Sequence, residues 1–213
     1  VLIEINSAIT VTNTFTNNGT VTVSDSGITI TCGSVVNRGK LSFGSNSLNC
    51  NDFENRGTLS FTGALDVTNN ASFVSYFTNE GTVTVNNNAT FFDTFTNKGN
   101  FSITGDGIFS SDVINDGGTI SISKNANFNA SLINSGTITC GTADVAGVTS
   151  QNGVISVTGD ATASGAISAD GDITFGGNAD VAGVTSTSGA ISFDVDAKAS
   201  GAISASGNIT FGG

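Results

Sequence analysis

The chain has 213 residues, 17 of them acidic and 6 basic, for a net charge of −11, and it contains no histidine, proline, methionine or tryptophan. Such an excess of negative charge argues against nucleic acid or an anionic membrane as partner, because both require clustered Lys and Arg. Without histidine there is no Ser-His-Asp or Cys-His catalytic arrangement and no His metal site.

No run of 18 apolar residues occurs, so no membrane-inserting helix is expected. The chain opens with Val1, Leu2, Ile3 and Ile5, which reads as a strand at a processed N-terminus or at a cut from something longer. From there one phrase recurs about every 18 residues: Gly, any residue, a large apolar residue, Ser or Thr, another apolar residue. It begins at Gly19, Gly39, Gly57, Gly81, Gly99, Gly118, Gly136, Gly153, Gly171, Gly189 and Gly207. A fixed period with strand-type alternation inside it predicts an all-β chain, 1–213, folded as a single β-solenoid, since each turn can bury its apolar side only against its neighbours.

In the turn from Gly99, Phe101 and Ile103 alternate with Asn100 and Ser102, Gly105-Asp106-Gly107 breaks the strand, Phe109 points inward, and Val113 and Asn115 close the turn. Three short strands per turn, about eleven and a half turns and a rod of roughly 55 Å follow from the strand spacing. Gly, Asn and Asp are expected at the corners for their tolerance of left-handed backbone angles.

Aligned on its glycine, the repeat predicts three inward columns. The first holds Val21, Leu41, Leu59, Val83, Phe101, Ile120, Ile138, Ile155, Ile173, Ile191 and Ile209. The second holds Phe73, Phe91, Phe109 and Phe128, and the third Phe53, Phe77, Phe95, Val113 and Leu132. Asn17, Asn37, Asn55, Asn79, Asn97, Asn115 and Asn134 form a further column, two or three residues before the glycine. Each reads either as a left-handed corner residue or as one member of an amide ladder in which every side chain bonds the next. Arg38, Arg56, Glu80, Lys98 and Asp116 follow five of these asparagines, which places Glu80 between Arg56 and Lys98 in pairs that protect register at small energy.

Residues 1–136 carry Phe inward and Asn at the corners. From 137 to 213 the second column becomes Val145, Ala163, Val181 and Ala199, beside Ala143, Ala161, Ala179 and Ala197, and the smaller side chains predict a thinner section. Residues 141–177 match 177–213 at 27 of 37 positions, a duplication of two turns. Neither end shows a helix, a proline or a charge cluster of the kind that blocks a sheet edge, which leads to the expectation that the ends polymerise.

Cys32 and Cys50 take equivalent places in adjacent turns. They are candidates for a disulfide, and with it an oxidising exterior, or for two buried thiols acting as small hydrophobes. Cys140 shares a column with Ile122 and Val157 and reads as a buried free thiol. Sequons begin at Asn18, Asn70, Asn88, Asn100, Asn129 and Asn208, either glycan acceptors on a secreted surface or the chance product of a chain rich in Asn, Ser and Thr.

Asp106, Asp160 and Asp196, with Asn125 and Asn178 in matching places, read as corner residues and not as catalytic carboxylates. Gly176-Gly177-Asn178-Ala179-Asp180 lacks the spacing of calcium-binding β-rolls. No catalytic residue, metal or cofactor is assigned. Outward, Thr22, Ser42, Ser60, Thr84, Ser102, Ser121, Thr139, Ser156, Thr174, Ser192 and Thr210 form a hydroxyl file. Such a file suits ice binding or lateral packing of rods, although its neighbour file, with Lys40, Asn100, Val154 and Asp172, is irregular.

The phrase Phe-x-Asn-x-Gly-x-hydrophobic-x-hydrophobic, as in Phe53 to Phe61 and Phe95 to Ile103, resembles the repeats of large microbial surface β-solenoids of the filamentous-haemagglutinin type. Over most of its length the chain is similar to such repeats, or to self-assembling envelope proteins such as an archaeal sheath or an S-layer-like coat. The resemblance implies an extracellular structural protein whose partner is itself and which performs no catalysis. An adhesin passenger that binds surface glycans is the alternative, and ice binding the third reading.

Overall fold

The computed structural model of the chain describes residues 2–150 and 154–212, without the side chains of Leu2, Ser131 and residues 144–150. Val1, Gly153, Gly213 and the side chain of Val145 lie outside the described residues. Val, Ile, Thr and Phe alternate with Ser, Asn and Thr in runs of three to five, which suits strands half-buried on one side. Those strands stack in parallel into a β-solenoid of about eleven turns, with no helix among the described residues.

Each turn has three faces. On face A, Ile9, Ile30, Leu48 and Leu65 stack in register, and Val83, Phe101, Ile120, Ile138, Ile155, Ile173, Ile191 and Ile209 continue the file. On face B, Asn17, Asn37 and Asn55 are followed by Phe73, Phe91, Phe109 and Phe128. On face C, Ile3, Val21, Leu41 and Leu59 stack in order. Phe77 comes next, its ring 6.1 Å from Phe61, and then Phe95, Val113 and Leu132.

This register corrects the alignment on glycine in one respect. Val83 stacks on Leu65, not on Leu59, and Phe53 stacks on Ala71, not on Phe77. The cause is visible in spacing: Asn37 and Asn55 are 18 residues apart, but Asn55 and Asn79 are 24 apart, one strand and one corner more. Up to Asn55 the Phe-x-Asn-x-Gly phrase turns the corner from face B to face C. From Asn79 onward the same phrase turns the corner from face C to face A.

Across this slip Asn and Phe exchange faces. Below it the asparagines close face B while Phe43 and Phe61 stack on face C, with ring centroids 4.6 Å apart. Above it Phe73, Phe91, Phe109 and Phe128 stack on face B at 4.6, 4.8 and 4.8 Å, and the asparagines close face C. Most layers on either side therefore combine a bulky ring with an amide, which keeps the interior filled at close packing.

The strands Thr119–Asn134 and Thr137–Ser150 carry the stack across the change of composition, their pairing shifting register between Ile122 and Asn125 and between Phe128 and Ser131. The alanines Ala143, Ala161, Ala179 and Ala197 stack as expected, on a file that already holds Ala126, Gly107, Ala89 and Ala71. What face B loses in volume, face A regains: Phe175, Phe193 and Phe211 stack there at 5.1 and 5.3 Å. A void of about 20 Å³ marks the handover, between Phe128 and Phe175 and beside Cys140, Ala143 and Ala161.

The repeat glycines serve a different purpose from the one expected. Among the described glycines only Gly27, Gly44 and Gly117 have positive φ. Gly39, Gly57, Gly81, Gly99 and Gly136 instead bring adjacent turns together, because a Cβ on any of them would press into the backbone of the turn below. That stack of glycines records the slip as well: Gly57 sits on Gly39, whereas Gly81 sits on Gly63.

Candidate functional site

The asparagines form ladders, and there are two of them. On face B, Asn17 Nδ2 donates to Asn37 Oδ1 at 2.8 Å, and Asn37 Nδ2 to Asn55 Oδ1 at 2.7 Å. On face C, Asn79 donates to Asn97 at 2.8 Å, Asn97 to Asn115 at 2.8 Å and Asn115 to Asn134 at 2.6 Å. Asn55 ends the first ladder, its amide donating to the carbonyl of Gly57 at 2.9 Å.

Each ladder amide also binds backbone: Asn17 donates to Lys40 O, Asn37 to Thr58 O, Asn79 to Asn100 O and Asn115 to Gly118 O. All seven asparagines are buried, where an amide left unbonded costs roughly 1–3 kcal/mol. They therefore fix register and are not available to a ligand. Farther along face C, Ser186 takes over the corner, accepting from the N–H of Gly189 at 2.9 Å and donating to Gly171 O at 3.0 Å.

A third ladder links side chain to backbone at the corner between faces A and B. Asn70 Oδ1 accepts from the N–H of Asn88 at 3.2 Å, Asn88 Oδ1 from Asp106 at 2.8 Å, Asp106 Oδ1 from Asn125 at 3.2 Å, and Asp160 Oδ1 from Asn178 at 2.8 Å. The corner reading of Asp106, Asp160, Asn125 and Asn178 thus gains a bond, and it extends to Asn70 and Asn88, which the sequence presents as sequons. The sequon residues Asn18, Asn70, Asn88, Asn100, Asn129 and Asn208 are all exposed. Asn46 belongs to none of these columns, yet it is buried, accepts from Ile28 N–H at 2.8 Å and donates to Asp25 O at 2.7 Å. No periodic signal marks it, because it stands in an irregular corner after Gly44.

Cys32 and Cys50 are register partners, as their spacing predicts, and Cys140 lies between Ile122 and Val157 in the same face A file. All three are buried free thiols, so the case for an oxidising exterior receives nothing from them. Burial pushes the thiols of Cys50 and Cys140 up to about 12, well above the ordinary value near 8.5. The folded chain thus holds protons that the unfolded chain releases between those values. Stability from this source is complete below about pH 8.5 and falls as the pH rises toward 12. Urea melts should show lower stability at pH 10 than at pH 7, and Cys50→Val with Cys140→Val should flatten that difference. Without reductant, all three thiols should resist alkylation until the protein unfolds.

The charged column divides at the slip. Arg56 pairs with Glu54, Lys98 with Asp116 at 3.9 Å, and Lys198 with Asp180 at 3.2 Å; Glu80 stands on the face C to face A corner and does not face Arg56. The hydroxyl file divides there too. Thr22, Ser42 and Ser60 lie on face C, and Thr84 begins the file on face A, below which stand Asp66, Asn49, Thr31 and Thr10.

Two surface features stand out. Over face B a groove of about 530 Å³ runs past Asp52, Glu54, Asn70, Thr90 and the exposed ring of Phe92. At the adjoining corner a groove of about 490 Å³ is bordered by Arg38, Arg56, Ser75 and Tyr76. Tyr76 is 55% exposed, and Thr78 Oγ1 donates to its hydroxyl at 2.7 Å. Neither aromatic residue belongs to the period, which is why the repeat does not announce them. Among the described residues no group of three or more Cys, Asp or Glu is placed to hold a metal ion. Comparison with family models, with curated proteins and with solved structures finds no match to the chain.

Proposed function

We propose that the chain is an extracellular structural protein that self-associates into a filament, sheath or surface coat and performs no catalysis. The observation that carries this reading is where the polar side chains go. Asn, Asp and Ser at the corners bond the next turn, so groups that serve ligands in a binding protein serve stacking here. The resemblance to haemagglutinin-type repeats and to envelope proteins of the sheath or S-layer kind supports an outer-surface location.

A second reading, an adhesin segment that binds glycans, draws support from the face B groove, where carboxylates, amides and a hydroxyl adjoin the exposed Phe92 ring. Electron microscopy of the purified protein, paired with imaging of the native cell surface, separates the two. Ordered polymers are the expected result. Isolated rods at high concentration, with saturable binding to a glycan array, would favour the adhesin reading.

A further inference from the structure

We infer that the groove beside Arg38, Arg56 and Tyr76 is a docking surface for the aspartate-rich turns of a second copy of this chain. The inference rests on the reading of the chain as self-associating and supplies the contact that reading lacks.

Charge is distributed unevenly along the rod. Of six basic residues, Arg38, Lys40 and Arg56 fall within residues 38–56. Arg38 and Arg56 stand one turn apart on the face B to face C corner, each next to a ladder asparagine. Arg38 and Lys40 form no ion pair among the described residues, and the Arg56 pair with Glu54 is exposed. Beside them the Tyr76 ring stands open to solvent with its hydroxyl held by Thr78. An exposed aromatic ring next to two guanidinium groups, that of Arg38 without an ion pair and that of Arg56 in an exposed one, has the composition of a protein contact, where Tyr and Arg are enriched.

The complementary surface lies at the other end of the same chain. Residues 154–198 carry six aspartates and one lysine. Asp160, Asp180 and Asp196 border a groove of about 490 Å³ on face B and its corner, and Lys198 is already engaged with Asp180. Both surfaces are built on stacked strands: Arg38 and Arg56 stand one turn apart, roughly 4.8 Å, while Asp160 and Asp196 stand two turns apart with Asn178 between them and Asp180 in the neighbouring column. Two rods can set the arginine pair of one against the acidic groove of the other without either changing shape, and the presence of both signs on one chain favours a second copy as the occupant. Because the two surfaces are separate, one rod can offer its arginines to one neighbour and its aspartates to another. Such a contact propagates instead of closing on itself.

Sedimentation velocity of the full chain at low salt and in about 0.5 M NaCl reads this directly, since exposed charges are screened within a few ångströms at high ionic strength. Association is expected at low salt, with reversion to the monomer mass at high salt. Arg38→Glu with Arg56→Glu, and separately Asp180→Lys with Asp196→Lys, should each sediment as monomer at low salt while keeping the wild-type circular dichroism. An equimolar mixture of the two variants should associate again, because each then meets a surface of opposite sign. If both variants associate as the wild type does, or the mixture stays monomeric, the docking surface is wrong while self-association stands. A wild-type chain that is monomeric at every salt and concentration removes both. Association that appears only when heparin is added assigns the arginine groove to a polyanion and also overturns the inference.

Discussion

Phe91→Asp is expected to abolish cooperative folding of the central turns. Phe91 is 1% exposed, with the Phe73 ring 4.6 Å away at 5° on one side and the Phe109 ring 4.8 Å away at 10° on the other, and Phe95 stacks across the core at 4.5 Å. Deleting a buried Phe costs about 3–5 kcal/mol through lost transfer energy and the cavity left behind. A carboxylate in its place adds a buried charge with no partner. Loss of the sharp thermal transition by circular dichroism is the predicted readout, with Phe91→Leu retaining it at a lower midpoint. A melting temperature unchanged by the aspartate would mean that the face B ring stack does not hold these turns together.

Gly99→Ala should be nearly as damaging, although it adds only a methyl group. The new Cβ would meet the carbonyl oxygen of Gly81 well inside van der Waals contact, with the Gly81 Cα carbon's own neighbours behind it. The obstacle is backbone, which cannot rotate away, so the turns must separate where Lys98 and Gly99 donate to Asn79 O and Asn100 donates to Gly81 O. Loss of several kcal/mol is expected, on the order of two or three broken buried hydrogen bonds. Gly117→Ala is the control by contrast. That glycine has φ of 75° with open space around its Cβ position, so the cost there is conformational and should be smaller, on the order of 1 kcal/mol. Equal effects at the two positions would show that close approach between turns is not what the repeat glycine provides.

The contrast between those glycines also shows what was legible in the sequence. Period and alternation identify a solenoid because burial requires both, and the file from Val83 to Ile209 reads off correctly. Phase is harder to read. The Asn-Gly phrase satisfies the same backbone groups at any corner, so its recurrence at Asn79 says nothing about which corner it turns. Only the 24-residue interval after Asn55 carries that information, and an interval of this kind also looks like a loop insertion. The purpose of the glycines was hidden for a related reason, since neighbours of the same type hide the constraint each imposes on the other. Tyr76 and Phe92 were missed because they are single departures from a pattern, and a search for repeats discards such residues.

The slip between Asn55 and Asn79 means that this rod is assembled from sides, not from whole turns. One side with its corner is a self-sufficient module of about six residues: it brings its own inward residues, its own amide to bond the layer above, and its own glycine to admit the layer below. The module inserted here keeps the face A and face B ladders continuous, interrupts the face C ladder between Thr58–Phe61 and Phe77–Asn79, and rotates the sequence pattern by a third of a revolution relative to the body that bears it. The direction in which a surface residue points is thereby uncoupled from its place in the repeat. A neighbour that recognises the residues after an Asn-Gly corner meets that feature along one edge of the rod at Arg38 and Arg56, and along a different edge at Lys98 and Asp116. By a change of six residues, from an interval of 18 to one of 24, a linear repeat comes to display the same corner feature along two edges of the rod.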